Sequence, residues 1–462
     1  MSVPLREKPD QMLHALARAF AAIAVSLAAA TAQAAPPAAN EVWVGLAFSG
    51  GGHRASAFSY GVLRGIESER LADGTPLTNR IRFISGVSGG SITATAFALR
   101  GMTGLRHFRD EWLLTDVEAR MTAELNARNI LRGVDGRSTL GRLLDDNLFH
   151  GATFADLARR PATLRIVASD TAAAAPFVFD DITFGALCTD LSNILLADAV
   201  TASAAVPVVF SAVPVARYEG CRWQEPAAYA AARADEGAHP ALRLLALTVA
   251  SYTNPANVRS VQLLDGSMAE TYGTSGFLAA RSEGYLSPMS TAEALHTRRL
   301  LFLAVNASHE NWWITDQLIP SGRVLSLSFY GLAQRLRDEG GGDLDAVLSE
   351  RAITATTTES FETLRNALTQ WRQQIIDWRC SLNHETLDSL WPDRPADWDC
   401  QELIVVIGEV GIAQLPEPMR ETMNSIPTRL SLPEESIDIA IDAGAIALGR
   451  APAWHVFRDF LQ

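Results

Sequence analysis

The chain has 462 residues, 48% of them hydrophobic and 20% charged, which excludes a disordered, collagenous or fibrous protein and leaves room for two or three domains or one large α/β domain with insertions. Acidic residues outnumber basic ones 52 to 39, a formal charge of -13, so the basic footprint of a nucleic-acid partner is missing. Lysine occurs only at Lys8, which removes Schiff-base, pyridoxal phosphate, P-loop and Ser-Lys chemistry from everything downstream.

Residues 1–34 carry the three parts of a secretory signal: Arg6, Lys8 and Arg18, an apolar run from Ala19 to Ala30 broken by Ser26, and Ala32-Gln33-Ala34. The run is shorter than the roughly 20 residues that cross a bilayer. Cleavage after Ala34 is therefore expected, with export to the periplasm or beyond. It would remove three basic and two acidic residues, leaving 36 against 50, a charge of -14 and no lysine. Glu7 and Asp10 weaken the positive leader, and the alternative is an Ala-rich surface helix.

Along the rest of the chain, apolar runs alternate with helical patterns. Val42 to Phe48, Ile81 to Ile84, Leu164 to Ala168, Val261 to Leu264, Leu300 to Val305 and Leu403 to Ile407 read as buried strands. Phe58, Val62, Leu63 and Ile66 share one face of a helix between the first two. The alternation predicts an α/β sheet with helices on both faces. Arg217 to Ser260 is Ala-rich and reads as an insertion, and Gln317 to Arg379 is mostly helical with a loop at Gly340-Gly341-Gly342. The predicted division is a catalytic domain over 41–310, with the insertion at about 217–260, and a C-terminal extension over 311–462 packed on it. Cys188, Cys221, Cys380 and Cys400 suit disulfides after export better than zinc. Local pairing, 188 with 221 and 380 with 400, would contribute about 3 to 4 kcal/mol per loop. Three connectivities, and four free thiols, stay open at this point.

Three segments carry chemistry. Gly86-Val87-Ser88-Gly89-Gly90 is a Gly-x-Ser-x-Gly between a strand and a helix, the sharp turn that holds a serine Oγ exposed, so Ser88 is the candidate nucleophile ahead of Ser85 and Ser91. Ser49-Gly50-Gly51-Gly52-His53-Arg54 follows the first strand and opens a helix, where successive glycine N–H groups make a nest for an oxyanion. It has neither the Walker spacing and lysine nor the dinucleotide Gly-x-Gly-x-x-Gly. Asp265-Gly266 ends a strand, where α/β sheets gather their sites, although a plain turn would look the same.

In this order the motifs resemble the patatin-like phospholipases, a family of serine acyl hydrolases. Gly50 to Arg54 match the family's oxyanion loop, Ser88 its nucleophile and Asp265 its base, and Ala202-Ser203-Ala204-Ala205-Val206-Pro207-Val208-Val209-Phe210 resembles its proline block. Ile426-Pro427-Thr428 and Ile437 to Gly444 are similar to the C-terminal segment of long bacterial members. Two departures stand out: Asp265-Gly266 is followed by Ser267 where the family has glycine or alanine, and the interval from the proline block to Asp265 is long. The resemblance implies a three-layer α/β/α fold with a mostly parallel sheet and a largely helical C-terminal extension. It implies a lipid acyl hydrolase with a Ser88–Asp265 dyad and no histidine. The N–H groups of Gly50, Gly51, Gly52 and Gly89 would form the oxyanion hole, with Arg54, Gly86, Gly90 and Gly266 in support. Arg54 is expected to anchor the glycine loop rather than touch substrate. An acyl lipid or ester is the implied partner, with peripheral contact to a membrane or micelle. Neither metal, cofactor, nucleotide nor nucleic acid is expected. Asp343 to Glu350 lacks the ligand alternation of a calcium loop. Two rivals remain: a Ser-His-Asp hydrolase using His309, and an exported binding protein that is catalytically silent. Asn311-Trp312-Trp313-Ile314 suits either an interfacial rim or ordinary packing.

Overall fold

The computed structural model describes residues 41–123, 136–206, 212–256, 258–308 and 350–461. The expected leader, Pro207 to Phe210, His309, Asn311 to Ile314, Gly340 to Gly342 and Asp343 to Ser349 lie outside the described residues. In chain order, the elements that place the site are β1 (Val42–Phe48), α1 (Gly52–Ser68), β2 (Ile81–Val87), α2 (Gly89–Gly104), β3 (Thr163–Asp170), β4 (Ala175–Phe179), α3 (Leu196–Ser203), β5 (Val213–Ala216), α4 (Ala227–Ala234), α5 (Pro240–Ser251), β6 (Ser260–Leu264), α6 (Thr274–Ser282), β7 (Arg299–Asn306), α7 (Glu350–Ser381), β8 (Ile404–Gly411) and α8 (Glu434–Arg450).

The strands form one mixed sheet in the order β5-β6-β3-β2-β1-β7-β8, with β4 also paired to β3. From β3 to β8 along that order the pairing is parallel. All seven residues of β1 are buried, because both faces of the sheet are covered. Val42, Val44, Leu46 and Phe48 enter one core with α1, α2, α3 and α8, while Trp43 and Ala47 enter a second with α6 and α7. β7 divides likewise, Leu301, Leu303 and Val305 to the first core and Leu300, Phe302 and Ala304 to the second. This period of two across a doubly covered sheet is what makes the fold three-layered. Trp371 of α7 anchors the second core, edge-on to Trp43 at 5.4 Å and to Phe277 at 5.6 Å.

Two features depart from the sequence pattern. Val261 to Leu264 reads as a buried strand, but the residues of β6 alternate between exposed and buried, and it pairs antiparallel with β3 and β5 in an otherwise mostly parallel sheet. β4 and β5 have no counterpart in the apolar runs: they span five and four residues, and β5 is half-exposed around Pro214. Because Ala216 pairs with Ser260, the segment 217–260 leaves and re-enters the sheet at the mouth of one hairpin. Its helices α4 and α5 bury Tyr229, Leu245 and Val249 in the first core.

Beyond residue 310 the chain contributes to the same sheet, since β8 pairs with β7 from Arg299↔Ile404 to Asn306↔Gly411. Helix α8 lies so close on α1 that a methyl on Gly61 would overlap the Ile441 carbonyl, and one on Gly444 the Phe58 carbonyl. Two disulfides, Cys188–Cys221 and Cys380–Cys400, select the local connectivity and leave no free thiol. No helix among the described residues is long and apolar enough to cross a membrane.

Candidate active site

Three turns converge where β1, β2 and β6 end. At the end of β2 the chain reverses into α2 through Ser88, whose φ of 50° and ψ of -124° put a non-glycine residue in left-handed territory. Such a conformation persists only where the surroundings impose it. Here the Ser88 N–H donates to Ser203 Oγ at 2.8 Å, Ser203 donates to the Val167 carbonyl at 2.6 Å, and Ser91 Oγ donates to the Ser88 carbonyl at 2.6 Å. Glycine is required on the helix side of the turn, because a methyl on Gly89 would overlap the Gly52 carbonyl and force the two loops apart.

Asp265 follows β6 and is held on β3: Ser169 Oγ donates to its carbonyl at 2.8 Å, and its own N–H donates to the Ala205 carbonyl at 2.9 Å. The carboxylate accepts the Ser267 N–H at 2.8 Å on Oδ1 and the Ser88 hydroxyl at 2.7 Å on Oδ2. Both dyad residues are buried, Ser88 at 6% and Asp265 at 4% exposure. Burial pushes the Asp265 carboxyl above its ordinary value, opposed by hydrogen bonds from Ser88 and Ser267. Ser267, the departure from the usual glycine or alanine, adds a side-chain hydrogen bond to this carboxylate beside that of its N–H.

The glycine loop completes the convergence. Gly51 and Gly52 have φ of 135° and 61°, and a methyl on Gly50 would stand 3.3 Å from Ser88 Cβ. Arg54 is buried and turned away from the dyad, donating to the Ile426 carbonyl at 2.6 Å and to Thr428 Oγ1 at 3.1 Å, and burial lowers its pKa to about 9. The structure thus brings Gly50 to Gly52, Gly86, Ser88, Gly89, Gly90, Asp265 and Gly266 together. Arg54 is next to them, on the side of the C-terminal segment. Ser169 and Ser203 are given no role of their own by the sequence reading. Ser203 alone had a signal there, inside the proline block.

Residues 46–242 match the family model Patatin, described as patatin-like phospholipase. The chain carries a patatin-like phospholipase domain. This match supports lipid acyl hydrolase activity. No curated protein matches the chain. Among solved structures, VipD from Legionella pneumophila is 11% identical, with 92% of this chain and 67% of that chain covered and a TM-score of 0.34. Human GIVD cytosolic phospholipase A2 is 11% identical, with 91% and 60% covered and a TM-score of 0.41. The heterodimeric ExoU-SpcU complex from the type III secretion system of Pseudomonas aeruginosa is 16% identical, with 78% and 73% covered and a TM-score of 0.23. The chain thus spans 60% of the human protein's length.

Proposed function

We propose that the chain hydrolyses carboxylic ester bonds of phospholipids or related acyl lipids through an acyl-enzyme on Ser88, with Asp265 as general base. The observation that carries this reading is the 2.7 Å hydrogen bond from Ser88 Oγ to Asp265 Oδ2 in a buried setting that raises the carboxyl pKa. An ordinary aspartate, near pKa 3.9, is a weak base for serine, and burial moves it toward a value at which it can both take and return a proton.

Ser88 Oγ attacks the ester carbonyl carbon as its proton passes to Asp265. The tetrahedral oxyanion is held by N–H groups of the Gly50–Gly52 loop and of Gly89, each donor contributing about 3 kcal/mol in the transition state. Asp265 returns the proton to the departing alkoxide. In the second half it takes a proton from water, the oxygen adds to the acyl carbon, and the bond from that carbon to Ser88 Oγ breaks as Asp265 returns the proton to Oγ. The three parts need no metal or nucleotide.

Export after cleavage behind Ala34 belongs to the same reading. It is supported by the two disulfides, which persist in oxidising compartments.

The test is hydrolysis of a soluble acyl ester and of phospholipid micelles by Ser88→Ala, Asp265→Asn and His309→Ala, with a fluorophosphonate to label the nucleophile. Ser88→Ala should abolish turnover and labelling, Asp265→Asn should abolish turnover, and His309→Ala should keep most of it. Loss on His309→Ala with survival of Asp265→Asn would assign the chemistry to a triad. A folded wild type inert to esters and fluorophosphonate would leave a binding protein.

A further inference from the structure

Three consecutive glycines have no side chains with which to hold themselves, yet oxyanion donors must sit about 2.7 to 3.1 Å from where the charge forms. In this chain the restraint comes from a segment more than 180 residues beyond the family match, at 426–431. The His53 N–H donates to the Arg429 carbonyl at 2.8 Å, and a methyl on Gly52 would overlap that same carbonyl oxygen. One residue further, the Arg54 guanidinium takes the Ile426 carbonyl at 2.6 Å and Thr428 Oγ1 at 3.1 Å.

The segment is itself fastened from behind. Arg429 Nε stands 3.2 Å from each Glu118 carboxylate oxygen, and Nη2 closes on Oε2. The Leu430 N–H donates to Glu118 Oε1 at 3.1 Å, and the Glu118 N–H donates to Ser431 Oγ at 3.0 Å. Ser431 Oγ in turn donates to Asp116 Oδ1 at 2.8 Å. Glu118 is buried at 7% exposure while the Arg429 side chain keeps 30% of its own, so the ion pair is shielded on its carboxylate side.

We infer that residues 426–431 are a latch that fixes the glycine loop in its oxyanion-binding geometry, with Thr428, Arg429 and Glu118 as positioning residues. The inference rests on the hydrolase reading above. The latch touches neither Ser88 nor Asp265, so its loss should weaken donation to the oxyanion while leaving the dyad and its pH dependence in place. A misplacement of about 1 Å at such donors costs on the order of 100-fold in rate.

The experiment compares a soluble carboxylic ester with its thionoester, in which sulfur replaces the carbonyl oxygen and accepts hydrogen bonds poorly. The ratio of the two kcat/KM values reads oxyanion donation, which a loss of fold alone does not change in the surviving enzyme. Arg429→Ala and Glu118→Gln should lower kcat on the ester by about 10- to 100-fold with KM nearly constant, and should shrink the ester-to-thionoester ratio at least about fivefold. Arg429→Lys should restore part of both. Thr428→Val removes a single hydrogen bond and provides a milder variant should Arg429→Ala fail to fold. Its ratio should shrink in the same direction. Folded Arg429→Ala or Thr428→Val enzyme with an unchanged ratio would overturn the latch and leave the hydrolase reading intact. A folded wild type that cleaves neither substrate would overturn the reading and the latch with it.

Discussion

Ser203→Ala isolates what holds the nucleophile in its left-handed turn. The substitution keeps Cβ and deletes only an oxygen that accepts the Ser88 N–H at 2.8 Å and donates to the Val167 carbonyl at 2.6 Å, in a side chain with no exposure to solvent. A buried donor left without an acceptor costs about 1 to 3 kcal/mol, whereas the Val167 carbonyl keeps a second lone pair and loses about 1 kcal/mol. The expected destabilisation is therefore about 2 to 4 kcal/mol, read as a lower urea midpoint at unchanged slope. The strain at Ser88, on the order of 1 to 3 kcal/mol for such a conformation, is then free to relax by turning the backbone, which carries Oγ away from Asp265. Turnover of a soluble ester should fall at least about tenfold in kcat, with KM little changed and fluorophosphonate labelling slowed in parallel. A loss of stability under about 1 kcal/mol together with wild-type kcat would refute the role given to Ser203.

Further outcomes follow from the titrating groups, the surface charge and the adjacent tryptophans. Only ionised Asp265 can take the Ser88 proton, and burial raises its pKa above the ordinary 3.8, so kcat/KM should fall on the acid side through a midpoint above that value. Ser267→Ala removes a hydrogen bond that favours the carboxylate and should move this limb to higher pH, and an unmoved or lowered limb would count against it. His53, buried and stacked on Trp112, is driven to about 4 from 6.5, chiefly by desolvation. The unfolded chain thus binds the proton more readily, and stability is lost as pH falls from about 6.5 toward 4, by up to about 3 kcal/mol. His53→Phe should keep the ring contact and remove this part of the pH dependence, measured by urea unfolding at pH 7 and pH 4.5. With a formal charge of -13 and no basic cluster in the sequence, hydrolysis should run faster on neutral than on strongly anionic vesicles; the reverse preference would sink the charge argument. Trp312→Ala and Trp313→Ala should slow aggregated lipid more than a soluble ester, and equal losses would make those tryptophans packing residues.

What the sequence made legible is whatever is encoded locally. β1 and β2 announce themselves as continuous apolar runs because both their faces are covered, and the turn at Ser88 because glycines flank it. β5 gives no such signal, since an edge strand of four residues with one buried side chain has no period to detect. Ser88 and Asp265 are 177 residues apart and could be paired from sequence only through the order of motifs. Ser169 hides inside a strand as an ordinary polar residue, and its role depends on β6 running back beside β3. Arg54 and Ile426 lie 372 residues apart, so the resemblance could suggest that Arg54 anchors the loop but not what it anchors to.

The same non-local logic governs the contact of α8 with α1, and one substitution tests it with opposite signs at two places on one helix. Alanine is favoured over glycine in a helix interior by up to about 1 kcal/mol, and this gain is available at both Gly444 and Gly449. At Gly449 nothing lies within 4 Å of the added methyl, so Gly449→Ala should stabilise by about 0.5 to 1 kcal/mol. At Gly444 the methyl would overlap the Phe58 carbonyl oxygen and stand 3.0 Å from the Val62 nitrogen, both backbone atoms of α1 that no rotamer change can move. Relief requires the helices to separate, at a cost of about 1 to 3 kcal/mol or more, which outweighs the propensity gain. Gly444→Ala should therefore lower the melting temperature and Gly449→Ala raise it. Because α1 begins at the glycine loop, the displaced helix should also lower kcat in Gly444→Ala and leave it unchanged in Gly449→Ala. Equal, small stabilisation by both substitutions would mean that the two helices are not in backbone contact.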